Sequence, residues 1–92
     1  MMLISYDLIK NHQNIEERGL SFDLVSELDW DNAWVFEDER NDYGEVRFAA
    51  YSMLGKRLHF VCFSETEKGI RIISFRKANR REVKRYEQQT PN

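Results

Sequence analysis

Three apolar segments joined by short polar connections constrain this chain more than any other feature. In "EVRFAAYSM" (residues 45–53), Val46, Phe48 and Ala50 fall on one face and Arg47, Ala49 and Tyr51 on the other, the period of a β-strand. "LGKR" follows as a turn, its glycine suited to a positive φ. "LHFVCFS" is almost continuously hydrophobic, as expected of a central strand buried on both faces. "ETEKG" turns again, and "IRIISF" is the last strand. Upstream, "AWVFEDE" predicts a strand at about 33–38, closed by the turn signal "ERNDYGE". Four strands with short connections predict an antiparallel meander.

Helices flank the strands. Asp7 is a suitable N-cap for a helix over residues 8–18 that Gly19 closes, with Leu8, Ile9, His12 and Ile15 as candidates for its buried face. Ser21 caps a second short helix carrying Asp23 in its first turn and the stripe Leu24, Val25 and Leu28. Asn79 with Glu82 three residues on forms a capping box for a last helix, anchored by Val83 and Tyr86. The expected fold is α+β: two N-terminal helices, a four-stranded antiparallel sheet and a C-terminal helix. Leu3–Tyr6 is a possible extra edge strand.

Ninety-two residues predict a single domain spanning 1–92. A composition 41% hydrophobic and 13% aromatic, without low-complexity tracts, places it among globular chains rather than disordered ones. No apolar run approaches the length of a membrane span, and "MMLISYDLIK" does not read as a secretory signal. The single cysteine, Cys62, has no partner for an intramolecular disulfide and reads as a small buried hydrophobe. A cytoplasmic location is expected. No Cys/His cluster has zinc-ligand spacing, and no metal or other cofactor is expected.

The net charge of −2 hides a strong asymmetry. Residues 1–67 carry six basic and fourteen acidic side chains, whereas residues 68–85 carry eight basic ones against Glu82 alone. A local basic field attracts polyanions even on an acidic protein. The alternative is that the basic segment folds against the acidic half.

"IRIISFRKANRREVKRYE" is similar to the "RIIS-x-R-x-A…E…Y" signature of the BrnT toxins of type II toxin–antitoxin modules. "YDLIKNHQNIEERGLSF" resembles that family's opening, and "DYGEVRF" its middle segment, where an acidic loop carries Glu and Arg into a strand. The order and spacing match over nearly the whole chain. The resemblance implies a RelE-like fold and a ribonuclease that arrests growth by cutting RNA. It also implies a BrnA-like antitoxin, a ribbon-helix-helix DNA-binding protein through which alone the toxin meets operator DNA. Two positions depart from the family pattern. Glu17-Arg18-Gly19 stands where members usually have Lys-His-Gly, and "SETEKG" lacks an arginine that many carry there. A member that had lost turnover would remain a partner and co-repressor of its antitoxin.

Metal-free RNA cleavage by 2′-hydroxyl attack needs a proton acceptor, cations for the developing phosphorane charge, and a proton donor for the 5′-oxygen. Arginine suits the second role because its fork matches phosphate oxygens. The candidate catalytic residues are Arg71, Arg76, Glu45, Arg47 and Tyr86. Lys77, Arg80, Arg81, Lys84 and Arg18 are candidate RNA contacts. In a regular strand Arg71 and Arg76 point to opposite faces, so they share a site only if the chain bends near Phe75 or Arg76. His12 reads as a helix-surface residue and His59 as a core or edge residue of the central strand. Trp30 and Trp34 suit a core, a partner or a base equally.

Overall fold

A computed structural model describes residues 3–40, 42 and 44–89. The chain runs through β1 (Leu3–Tyr6), α1 (Leu8–Arg18), 3₁₀ segments Phe22–Glu27 and Trp30–Asn32, then β2 (Trp34–Glu37), β3 (Phe48–Leu54), β4 (Arg57–Glu65), β5 (Gly69–Lys77) and α2 (Arg80–Gln89). The five strands form one sheet in the order β1-β5-β4-β3-β2. Strands β2 to β5 are the expected antiparallel meander, with a turn at Gly55 where φ is 60°.

Two expectations about the fold are corrected. The sheet is mixed and five-stranded, because β1 adds to the edge of β5 in parallel, Ile4 opposite Ile70 and Tyr6 opposite Ile72. Residues 22–27 form a 3₁₀ segment rather than a second α-helix. The buried residues there are Phe22, Val25 and Leu28, spaced by three, which matches the three residues per turn of a 3₁₀ helix.

The sheet carries apolar residues on both faces. Leu20, Phe22, Val25, Leu28, Ala50, Val61, Phe63, Ile70, Ile72 and Phe75 form one cluster, joined by Ile4, Tyr6, Phe48 and Trp30. Trp30 packs edge-on against Phe63 and donates its indole N–H to the Val25 carbonyl. The opposite face carries Ala49, Tyr51, Leu58, Phe60, Cys62 and Ala78, with Trp34, Phe36, Ile73 and the α2 residues Val83 and Tyr86 packed against them. Phe48 and Ala50 therefore face one cluster and Ala49 and Tyr51 the other, as the alternation of β3 requires.

Helix α1 is attached differently. Asp7 caps it, accepting from the Ile9 and Lys10 amides, and Gly19 closes it. None of its residues is buried; Leu8 and Ile9 are 77% and 71% exposed, so the apolar face expected there does not form. Two asparagines tie it down instead. Asn11 accepts from the Phe22 amide at 2.7 Å, and Asn14 donates to the carbonyls of Leu20 and Phe75, both at 3.0 Å. The Phe75 carbonyl lies on the edge of β5 beyond its pairing with β1, and Asn14 satisfies a group that a neighbouring strand would otherwise bond.

Candidate functional site

The pairing of β4 with β5 contains one irregularity. Cys62 lies opposite Ser74 and Phe63 opposite Ile72, so Ile73 is an extra residue on β5. A β-bulge of this kind shifts the side-chain alternation by one. Before it, Ile70 and Ile72 face the first cluster; after it, Phe75 faces the same cluster, and Ile73 faces the other. Arg71, between Ile70 and Ile72, and Arg76, next to Phe75, consequently project from the same face of the sheet. The bend that a shared surface demanded lies at Ile73, two residues before Phe75. The arginines remain roughly 15 Å apart along the strand at about 3.3 Å per residue.

Arg76 sits directly beside Phe60 in the ladder and lies over its ring, with the guanidinium carbon 4.4 Å from the centroid. Its Nη1 and Nη2 donate to the two carboxylate oxygens of Glu82 at 2.8 and 2.9 Å. Tyr51 Oη donates to Glu82 Oε2 at 2.9 Å, and the Asn79 amide to Oε1 at 2.8 Å. The Glu82 amide donates back to Asn79 Oδ1, completing the expected capping box. Arg76 holds the Glu82 carboxyl down at about 2, against an ordinary value near 4.5. Burial, together with the Glu82 contact, pushes the Tyr51 phenol up to about 12. Glu82 thus joins α2 to the sheet while fixing the position of Arg76.

A second anchored arginine lies nearby. The Asp38 side chain is 1% exposed and receives Arg40 Nε and Nη2, both at 2.8 Å. The Arg40 guanidinium carbon is 5.9 Å from the Phe60 ring centroid. Cys62 Sγ donates to Asp38 Oδ2 at 3.7 Å, and burial pushes its thiol pKa up. Arg47 immediately precedes β3, and its carbonyl accepts from the Asp38 amide at 2.7 Å. Its Nε is 3.4 Å from Glu45 Oε2, so the expected Glu45–Arg47 pair forms. Alternation with Phe48 aims Arg47 at the face that carries Arg71. Arg71 is exposed and lies opposite Ser64. Sequence reasoning passed over Arg40, Asp38, Phe60 and Glu82 as site residues. The signal for Glu82 was its place in the capping box beside so many cations.

Arg18 and Lys77 line a cleft with Arg76 and Leu20, so three of the expected cations come together at that end of β5. Arg80, Arg81 and Lys84 line a separate shallow pocket with Asn79. Tyr86 Oη donates to the Asn32 carbonyl at 3.0 Å and its ring packs on the sheet, tying α2 to the second 3₁₀ segment. His59 stacks on Phe75, on the face opposite the arginines, and burial lowers its pKa, leaving it neutral near pH 7. His12 is exposed on α1 and pairs with Glu16 at 2.9 Å. Trp34 stacks among Phe36 and Tyr51. Among the described residues, no group of three His, Cys, Asp or Glu side chains is placed to hold a metal ion, and no helix is long and apolar enough to cross a membrane.

Comparison with known families matches residues 6–82 to the family described as "Ribonuclease toxin, BrnT, of type II toxin-antitoxin system". The chain belongs to the BrnT family. The match covers α1, all of β2 to β5 and the start of α2, and so includes the arginine face and both of its anchoring carboxylates. No curated protein matches the chain. Membership makes this a ribonuclease toxin of a type II module, with an antitoxin as its partner.

Proposed function

We propose that this BrnT toxin is a metal-independent endoribonuclease of the cytoplasm and that its arginine-bearing sheet face holds the RNA backbone. The observation that carries this is the bulge at Ile73, which turns Arg71 to the face occupied by Arg76, Arg40 and Arg47. In the reaction the 2′-oxygen bonds to phosphorus and the bond to the 5′-oxygen breaks. The 2′-proton passes to a base and a proton is delivered to the leaving oxygen, giving a 2′,3′-cyclic phosphate and a 5′-hydroxyl. Guanidiniums hydrogen-bonded to the equatorial oxygens stabilise the charge that develops between these events.

In this reading Arg76 stabilises the phosphorane, oriented by Glu82, and Glu45 accepts the 2′-proton beside Arg47. Arg71, roughly 15 Å along the strand, holds a different phosphate of the same RNA strand. Arg18 and Lys77 extend the track past Arg76, while Arg80, Arg81 and Lys84 hold more distant phosphates. Tyr86 keeps α2 in place. The antitoxin is a BrnA-like ribbon-helix-helix protein, and the toxin reaches operator DNA only through it.

Induction of the wild-type toxin is expected to arrest growth and fragment cellular RNA, and a co-expressed antitoxin to relieve both. At equal protein levels, Glu45→Gln should abolish both effects and Arg71→Ala should weaken both, the two changes being at accessible side chains. A wild-type protein that binds its antitoxin tightly but leaves growth and RNA untouched would overturn the proposal and mark the chain as a non-catalytic partner.

A further inference from the structure

Five of the described polar or charged residues are buried: Asp38, Ser52, His59, Ser64 and Glu82. Four are bonded inside the protein. Asp38 receives Arg40, and Glu82 receives Arg76 and Tyr51. Ser52 donates to the Asp29 carbonyl at 2.7 Å, and His59 Nδ1 lies 2.9 Å from the Arg57 carbonyl. Ser64 is the exception. It is 6% exposed, and among the described residues its hydroxyl has no hydrogen-bond partner. Among those residues no wholly enclosed side-chain polar atom lacks a partner, so the Ser64 hydroxyl reaches the surface through the small part that stays open. A serine hydroxyl offers one donor and two acceptor sites, and one held at the floor of such an opening is satisfied from outside the chain.

The neighbours of Ser64 define what suits it. It lies near the end of β4, directly opposite Arg71 on β5. Phe63 faces the first cluster and Cys62 the second, so Ser64 points to the same face as Arg71. Directly opposed residues have Cβ atoms about 4.5–5.5 Å apart. The adjacent acid, Glu65, lies opposite Ile70 and so projects from the other face. Arg71 is exposed and has no ion-pair partner among the described residues. On its far side stands Ser5 of β1, whose hydroxyl donates to the Ile70 carbonyl at 3.5 Å. Ser64 is therefore the uncommitted hydroxyl of this row, next to an uncommitted guanidinium. That pairing fits an anion with several oxygens.

We propose that Ser64 and Arg71 seat one RNA phosphodiester, with Ser64 donating to a non-bridging oxygen at the floor and Arg71 closing over the phosphate. Arg71 supplies the charge. Ser64, on a strand paired on both sides, supplies the position. This rests on the ribonuclease reading and adds to it the group that fixes where the Arg71 phosphate lies.

Ser64→Ala removes an oxygen that bonds nothing in the described chain, so its urea unfolding should match the wild type. Its binding of an uncleavable 2′-O-methyl RNA should weaken by about tenfold, the loss of one hydrogen bond to a charged oxygen. The salt slope of that binding should stay unchanged, since Ser64 is neutral, whereas Arg71→Ala should lower it by about one unit. Adding Ser64→Ala to Arg71→Ala should weaken binding by less than about threefold, because the two side chains act on one phosphate. Wild-type affinity in Ser64→Ala, a tenfold loss that persists without Arg71, or a loss matched by lower stability would overturn the seat. A Ser64→Ala variant that binds and cuts as the wild type does would leave the ribonuclease reading intact. A wild type that binds the RNA with this coupling but leaves a cleavable RNA whole would overturn that reading and keep the seat.

Discussion

Replacing Glu82 with glutamine removes one charge from the centre of the α2 interface while keeping the size of the side chain. Its carboxyl titrates at about 2 in the folded chain, against an ordinary value near 4.5. The causes are the two hydrogen bonds from Arg76, then those from the Asn79 amide and Tyr51, which together outweigh burial. At about 1.4 kcal/mol per pH unit, that difference corresponds to roughly 3 kcal/mol of stability at neutral pH. Because the folded pKa is depressed, the contribution is fully present above about pH 4.5 and is lost as the pH falls toward 2. Urea unfolding at pH 7 should show Glu82→Gln less stable by about 3 kcal/mol, or about 12–24 °C in Tm for a domain of this size. Over the interval from pH 4.5 to 2, the wild type should lose this increment and the variant should not. A variant within about 1 kcal/mol of wild type at pH 7, or one keeping the wild-type acid slope, would refute the assignment of Glu82 as the anchor of Arg76 and α2.

Two further substitutions probe the fold around the site. A Cβ on Gly69 would collide with the backbone carbonyl of Leu3 in the adjacent parallel strand. Gly69→Ala should therefore destabilise by about 1–3 kcal/mol and loosen β1, read as faster amide exchange at Ile4 and Tyr6 than at Val61 in β4. Asn14→Ala removes both side-chain bonds to Leu20 and Phe75 from a helix with no buried residue. It should cost about 1–3 kcal/mol and expose the 8–18 segment to limited proteolysis while β3 to β5 stay protected.

The meander, the caps of both helices and the capping box at Asn79 were legible in the sequence, because each rests on a local pattern: alternation, a polar residue at a helix start, a glycine at a turn. The parallel pairing of β1 with β5 was not. It joins segments more than sixty residues apart, and four residues of alternating burial carry no signal for direction. The 3₁₀ segment was readable in retrospect from the spacing of Phe22, Val25 and Leu28, where attention to Leu24 suggested a helix instead. The bulge left a similar trace. Strict alternation through "IRIISF" would bury Ser74 with Ile70 and Ile72 and turn Phe75 outward, so an apolar core face needs one extra residue between them. For the site, the charge count identified Arg71 and Arg76 but could not show that they share a face. Arg40 escaped notice because it lies in an acidic loop, and its role depends on Asp38 and Phe60 meeting it in space.

RNA cleavage by the arginine face can be measured with purified protein. Its most direct test incubates the purified toxin with a defined single-stranded RNA in excess chelator and analyses the ends of the products. Cleavage should leave a 2′,3′-cyclic phosphate and a 5′-hydroxyl and be reduced by about tenfold or more in Arg71→Ala. Intact RNA in chelator, a different set of ends, or an Arg71→Ala variant that cuts at the wild-type rate would contradict it.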